Sequence, residues 1–154
     1  LILLVAGDNV STDDIMPAGR RVMPYWSSVY ASAPFTFEAI DADYVRRAEA
    51  TREHGGHAIV AGHNYGQGFS RENAALVPRY LGLQVVLAKS FARIHWQNLI
   101  CFGALPLSFI EEADAARLEQ GDAWPFATCT PNWLQGRSSS PRSSARGISP
   151  FVTT

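Results

Sequence analysis

The chain has 154 residues, 47% hydrophobic and 11% aromatic, enough for one domain with a genuine core and too apolar for a chain disordered throughout. A formal charge of -1 argues against a protein built around nucleic-acid phosphates, which calls for a marked basic excess. Two cysteines, Cys101 and Cys129, form at most one bridge, which excludes the framework of a small secreted domain and points to a reducing cytoplasm.

LILLVA, residues 1–6, predicts a buried strand; it is too short to span a membrane and lacks the basic leader of a signal peptide. The absence of an initiator methionine predicts a fragment of a longer chain or a trimmed one. DNVSTDDIMPAG, 8–19, clusters the residues of side-chain-assisted turns and reads as a loop. Over 20–36 the aromatics Tyr25, Trp26, Tyr30 and Phe35 are interrupted by Pro24 and Pro34, predicting a covering loop with short ordered pieces. DADYVRRAEATREH, 41–54, is helical in composition and stops at Gly55-Gly56.

The next segments read as strand, glycine loop, helix: HAIVAG at 57–62, then a periodic stretch from Ser70 that runs through RENAALVPRYL, 71–81, to Gly82. Pro78 predicts a kink or an early end to that helix. LQVVLAK, 83–89, is a second buried strand of this series. SFARIHWQNLICF, 90–102, is a helix capped by Ser90 and closed by Gly103, with Phe91, Ile94, Asn98, Leu99 and Phe102 near one face. ALPLSF, 104–109, is a further strand, and EEADAARLEQGD, 111–122, a short helix with a glycine stop.

Strands alternating with helices define an α/β class with mainly parallel pairing and right-handed crossovers. All 14 acidic residues lie at or before Asp122, whereas Arg137, Arg142 and Arg146 lie beyond it. RSSSPRSSAR, 137–146, has nothing to bury. The division is a domain over 1–122 and a divergent, disordered tail over 123–154, read as a solvated end rather than an RNA or membrane contact. The abrupt loss of acids and of apolar periodicity predicts a frameshifted or truncated end.

In such sheets ligands collect beyond the carboxyl ends of the strands, where HNYGQGFSR lies. Gly66 and Gly68 remove side chains where an anion would touch peptide N–H groups, and a helix starting near Ser70 adds its positive end. Ser70 can cap that helix or bond a ligand oxygen, and Arg71 offers a planar fork suited to a carboxylate. Spacing alone favours a capped helix whose surface arginine pairs with Glu72 or Asp13, because short glycine motifs are common. Elsewhere, His57, His63 and His95 lack ligand-like spacing, Cys101 reads as a buried core thiol, and neither cysteine falls in a cluster-binding spacing, so no metal site is predicted.

GDNVSTDDIMPAG, HAIVAGHNYGQGFSRENAALVPRYLG and KSFARIHWQNLICFGALPLSF, in this order, resemble the swivel (C-terminal) domain of the aconitase family over about residues 5 to 122. They also resemble the isopropylmalate dehydratase small subunit, which is this domain as a separate chain. The resemblance implies a three-layer β/β/α swivelling domain that closes over a 4Fe-4S cluster held by partner domains, in cis or in trans, and not bound by this chain. It implies an aconitate hydratase-like hydro-lyase of the tricarboxylic acid cycle, dehydrating and rehydrating a hydroxy polycarboxylate. This chain alone would not turn over.

Carried over by position, the resemblance makes Ser70 and Arg71 the carboxylate-binding pair, with Gly66 and Gly68 in the loop and Asp13, or an Asx-turn at that residue, as support. The family's loop usually reads GSSRE, its first serine being the base; here Phe69 stands there, and a phenyl ring cannot accept a proton. No catalytic residue is therefore assigned. Relatives commonly place a carboxylate-binding arginine where Trp26 stands, leaving Arg20 and Arg21 as nearby substitutes, and Asn73 replaces the usual histidine as a packing change. A degenerate, non-catalytic anion-binding or assembly module is the competing reading.

Overall fold

The computed structural model describes residues 1–123. Four parallel strands, β1 (Ile2–Val5), β2 (His57–Ala61), β3 (Leu83–Ala88) and β4 (Leu105–Ser108), form one sheet in the order β1-β2-β3-β4. Every residue of β2 is buried, and in β3 only Gln84 is less than fully so, as befits central strands covered on both faces. The edge strands show their position by exposing Val5 and Leu105.

Alternation along the strands sends side chains to opposite faces. One face carries Ile59, Ala61, Val86 and Ala88. It packs on Tyr44 and Ala48 of α3 (Tyr44–Arg52), on Ala74, Ala75 and Val77 of α4 (Asn73–Tyr80), and on Leu99 of α5 (Arg93–Cys101). The other face carries Ala58, Val60, Val85, Leu87 and Leu107 under Leu118 and Phe109. Burial of each large aliphatic side chain contributes about 1.5–3 kcal/mol before entropy is counted. The expected α/β class with a parallel sheet is thus present.

Several expected boundaries move. The 8–19 segment contains a one-turn helix, α1 (Thr12–Ile15), because Ser11 and Asp14 close a reciprocal capping box around its first amides. The covering segment is, as expected, short pieces: 3-10 turns at Met23–Tyr25 and Ala33–Phe35 around α2 (Val29–Ser32). α4 begins at Asn73 after Glu72, so Ser70 is an exposed loop residue and not a cap. It runs through Pro78 to Tyr80 and ends before Gly82 at φ +100°, so the proline does not end it early, although its nitrogen has no proton for the Ala74 carbonyl.

α5 begins at Arg93, not at Ser90, whose hydroxyl instead accepts the Asn64 amide at 2.8 Å. Its buried side is His95 and Leu99, with Phe91 and Phe102 against the core; Ile94 is 53% exposed. Cys101 is exposed and is not a core thiol, being two positions beyond Leu99 and hence off the buried stripe. The 111–122 helix is a 3-10 segment, Glu112–Arg117. The expected tail, apart from Ala123, and Cys129 with it, lie outside the described residues.

Candidate functional site at the carboxyl edge of the sheet

The loop after β2 is laced to two neighbouring segments. The Gly66 and Gln67 amides both donate to the Val10 carbonyl, at 2.8 and 3.3 Å, and the Thr12 amide donates to the Gln67 carbonyl at 2.9 Å. On the other side the Tyr65 amide donates to the Ser90 carbonyl at 3.0 Å and the Ala92 amide to the Tyr65 carbonyl at 2.9 Å. The glycine loop is therefore clamped between the turn leading into α1 and the turn leading into α5. Gly66, at φ +81°, is required twice: a Cβ there would sit inside the imidazole of His95, and the left-handed backbone disfavours L side chains. Gly68, at φ +95°, is required by its backbone alone.

Between the loop and α5 lies a cavity of about 420 Å³. Gly66, Gly68, Ser70 and Arg71 form one wall, and the first turns of α5, from Ala92 to Asn98, form the other. The Gly66 amide, expected to meet an anion, is already spent on Val10. The Gly68, Phe69, Ser70 and Arg71 amides donate to no acceptor among the described residues and are the ones available to a ligand.

Arg71 is 14% exposed at its side chain and forms a close ion pair with Asp13, so the expected pairing is with Asp13 and not Glu72. Its Nη1 donates to Asp13 and, at 3.5 Å, to the Met16 carbonyl, leaving Nη2 and Nε without a partner among the described residues. Hydrogen bonding from Arg71, with the charge of its guanidinium, holds the Asp13 carboxyl below its usual range against the opposing effect of burial. The guanidinium carbon lies 5.7 Å from the centre of the Trp26 ring. Trp26 is fixed in turn, its indole N–H donating to Pro17 at 3.1 Å and its carbonyl accepting from the Asn73 side chain at 3.2 Å. Trp26 thus braces Arg71, and Asn73 braces Trp26. Arg21 is paired with Glu38 and, like Arg20, is not on the cavity wall.

Phe69 is 81% exposed; its carbonyl accepts the Thr12 hydroxyl at 2.8 Å, which anchors the backbone while the ring faces solvent. The histidines do separate things. His57 is buried against the Tyr44 hydroxyl at 2.7 Å, and burial pulls its pKa down to about 3. His63 lies 3.3 Å from Glu112. His95, on the cavity wall, is 2% exposed, and burial lowers its pKa to about 4. Sequence reasoning placed Asn98 on this helical face but missed His95 and Arg93, because the face was read mainly from apolar residues and Ile94 outweighed a histidine. No group of three or more His, Cys, Asp or Glu able to hold a metal occurs among the described residues, so they offer no set suited to an iron–sulfur cluster.

A four-stranded parallel sheet with helices on one face and a cavity beyond its carboxyl ends is an α/β domain, a class in which ligands commonly gather at that edge. A family model described as the aconitase C-terminal domain matches residues 29–112, and the chain belongs to that family. It is 42% identical over 117 residues to the 3-isopropylmalate dehydratase small subunit of Aquifex aeolicus, covering 75% of this chain and 64% of that one. It is 53% identical over 64 residues to the mitochondrial homocitrate dehydratase of Saccharomyces cerevisiae, covering 42% of this chain but only 8% of the relative. A crystal structure of 3-isopropylmalate dehydratase from Methanocaldococcus jannaschii superposes with a TM-score of 0.58 at 35% identity, over 70% of this chain and 60% of the other. The chain therefore spans a small part of the long relatives and under two thirds of the small subunit. The swivel-domain fold expected from the resemblance is the fold of this family.

Proposed function

We propose that this chain is the swivel domain of an aconitase-type hydro-lyase, in which Ser70 and Arg71 bind a carboxylate of a hydroxy polycarboxylic acid during aconitate hydratase-like dehydration and rehydration. The observation that carries this reading is the free edge of Arg71 on the cavity wall, oriented from behind by Asp13 and Trp26. A guanidinium with Nη2 and Nε unspent can take a carboxylate in a fork, while the Ser70 hydroxyl and the amides from Gly68 to Arg71 complete its hydrogen bonds. Bonds that shorten as charge builds on that carboxylate would favour the transition state over the ground state. The 4Fe-4S cluster and its chemistry belong to partner domains, in cis or in trans, and this chain alone does not turn over.

Loss of binding checks this directly. In the protein assembled with its cluster-bearing partner, Arg71→Lys and Ser70→Ala should each lower kcat/KM by roughly tenfold to a hundredfold. Assays with citrate, isocitrate and isopropylmalate also select the substrate, since the named relatives differ on it. Unchanged kcat/KM in both variants would remove the pair from the site.

Phe69 favours a second reading, a degenerate module that retains the anion seat for assembly or regulation without chemistry. Tricarboxylate binding in the absence of the partner, with no turnover in its presence, would establish it. The domain boundary near residue 122 is likewise proposed; limited proteolysis leaving a folded 1–122 core would support it. Cysteine usage favours the cytoplasm, whereas the Saccharomyces relative is named as mitochondrial, and cell fractionation decides between them. Among the described residues no helix is long and apolar enough to cross a membrane.

A further inference from the structure

We propose that the first turn of α5, with Arg93 and the buried ring of His95, is a second oxyanion subsite of the same cavity, taking a second carboxylate of the substrate whose first carboxylate lies on Ser70 and Arg71. The proposal rests on the reading of Ser70 and Arg71 given above and extends it: the ligand must carry an anionic group at each end of the space between the glycine loop and α5.

Four independent features point there. α5 has nine residues, and its N-cap is Ala92, which supplies no side-chain acceptor; the Arg93, Ile94 and His95 amides donate to no acceptor among the described residues. The helix dipole therefore presents partial positive charge, with unspent donors, at the cavity wall. Arg93 is exposed on that wall and takes part in none of the ion pairs found among the described residues. Among the described residues, His95, 2% exposed, finds no partner for either ring nitrogen, and neither does the Asn98 amide nitrogen on the next turn. Finally, no acidic residue lines the cavity among the described residues.

A buried polar atom without a partner costs about 1–3 kcal/mol, and such atoms are rare away from sites of function. Here they sit beside uncapped amides and an arginine outside the ion pairs of the described residues, where an oxyanion would accept from the amides, the guanidinium, the Asn98 amide nitrogen and the protonated ring nitrogen of His95. Burial holds His95 uncharged at neutral pH, so one ring nitrogen donates and the other accepts. The loop is built to admit this ring, since only glycine at position 66 leaves room for it. At about 420 Å³ the cavity lies within the range of small-molecule sites and exceeds the need of a lone carboxylate.

The test is an NMR titration of the full-length chain with succinate and with butyrate, which differ in the second carboxylate. Wild type should bind succinate at least roughly tenfold more tightly, as expected for one added charge-assisted hydrogen-bond set. His95→Phe, which keeps a ring against Gly66, and the surface change Arg93→Gln should each erase most of that preference while leaving butyrate binding unchanged. The His95 ring ¹⁵N resonances should move with succinate and not with butyrate, a readout that a purely structural histidine would not give. Arg71→Gln should weaken both ligands. If wild type shows no preference for succinate, or if Arg93→Gln and a folded His95→Phe both retain it, the second subsite is overturned. If instead Arg71→Gln binds both ligands as wild type does while the α5 variants lose the preference, the Ser70–Arg71 reading falls and the α5 subsite stands alone.

Discussion

Arg71 meets Asp13, the Met16 carbonyl and the Trp26 ring, which together fix a long side chain that would otherwise lose rotamer entropy on binding. Asp13 has a depressed pKa, so its stabilising contribution is present above the unfolded value of about 3.9 and is lost only as pH falls through the lower folded value. The brace therefore holds across the neutral range. Phe69 stands where the resemblance implies a serine base. Because its ring is 81% exposed, Phe69→Ser should change stability by no more than about 0.5 kcal/mol. In the assembled enzyme the same change should raise turnover by about a hundredfold, the usual scale of a positioned base. A steady-state assay of the two proteins side by side checks it; no gain in turnover would mean that another group supplies the base.

At the scale of elements, the glycine loop and α5 form one unit joined by the backbone bonds at Tyr65, Ser90 and Ala92. Substituting Gly66→Ala drives a methyl into the His95 ring and strains a backbone at φ +81°. The expected cost is about 3 kcal/mol, measurable as a lower urea midpoint. Gly68→Ala, with only the Thr12 hydroxyl at 3.7 Å, meets the backbone strain without the clash and should cost less. Equal losses at the two positions would contradict the packing role given to Gly66. At this scale the sequence was legible where periodicity is strong: β2, β3, α3 and α4 lie within a few residues of their expected places. Caps were less legible. Ser70 and Ser90 are both suitable cap residues, but backbone pairing of the loops spent Ser90 on Asn64 and left Ser70 on the cavity wall.

For the whole molecule, acid sensitivity is set by histidines buried without charge. His57 and His95 have folded pKa values lowered to about 3 and about 4, so below the unfolded value of about 6.5 the unfolded chain binds protons that the native state refuses. Stability therefore falls as pH drops. Between pH 7 and pH 5 each histidine should remove on the order of 2 kcal/mol, seen as a falling urea midpoint. His95→Phe should flatten that slope by its own share, and a slope unchanged in this variant would show that His95 is already solvated or charged.

The amino-acid sequence by itself determined the class of the fold and the loop that borders the cavity. Strand and helix periods are local properties of the chain, and glycines followed by serine and arginine carry their chemistry wherever they are placed. It also set Phe69 and Trp26 apart from what the resemblance implies at those positions, since residue type alone decides whether a group can accept a proton or carry charge. Only the tertiary structure decided that Trp26 braces Arg71, that the Gly66 amide is spent on Val10, and that His95 rather than Ile94 turns inward. Those outcomes depend on which of several competent partners lies within bonding distance after distant segments pack, and no local pattern encodes that distance.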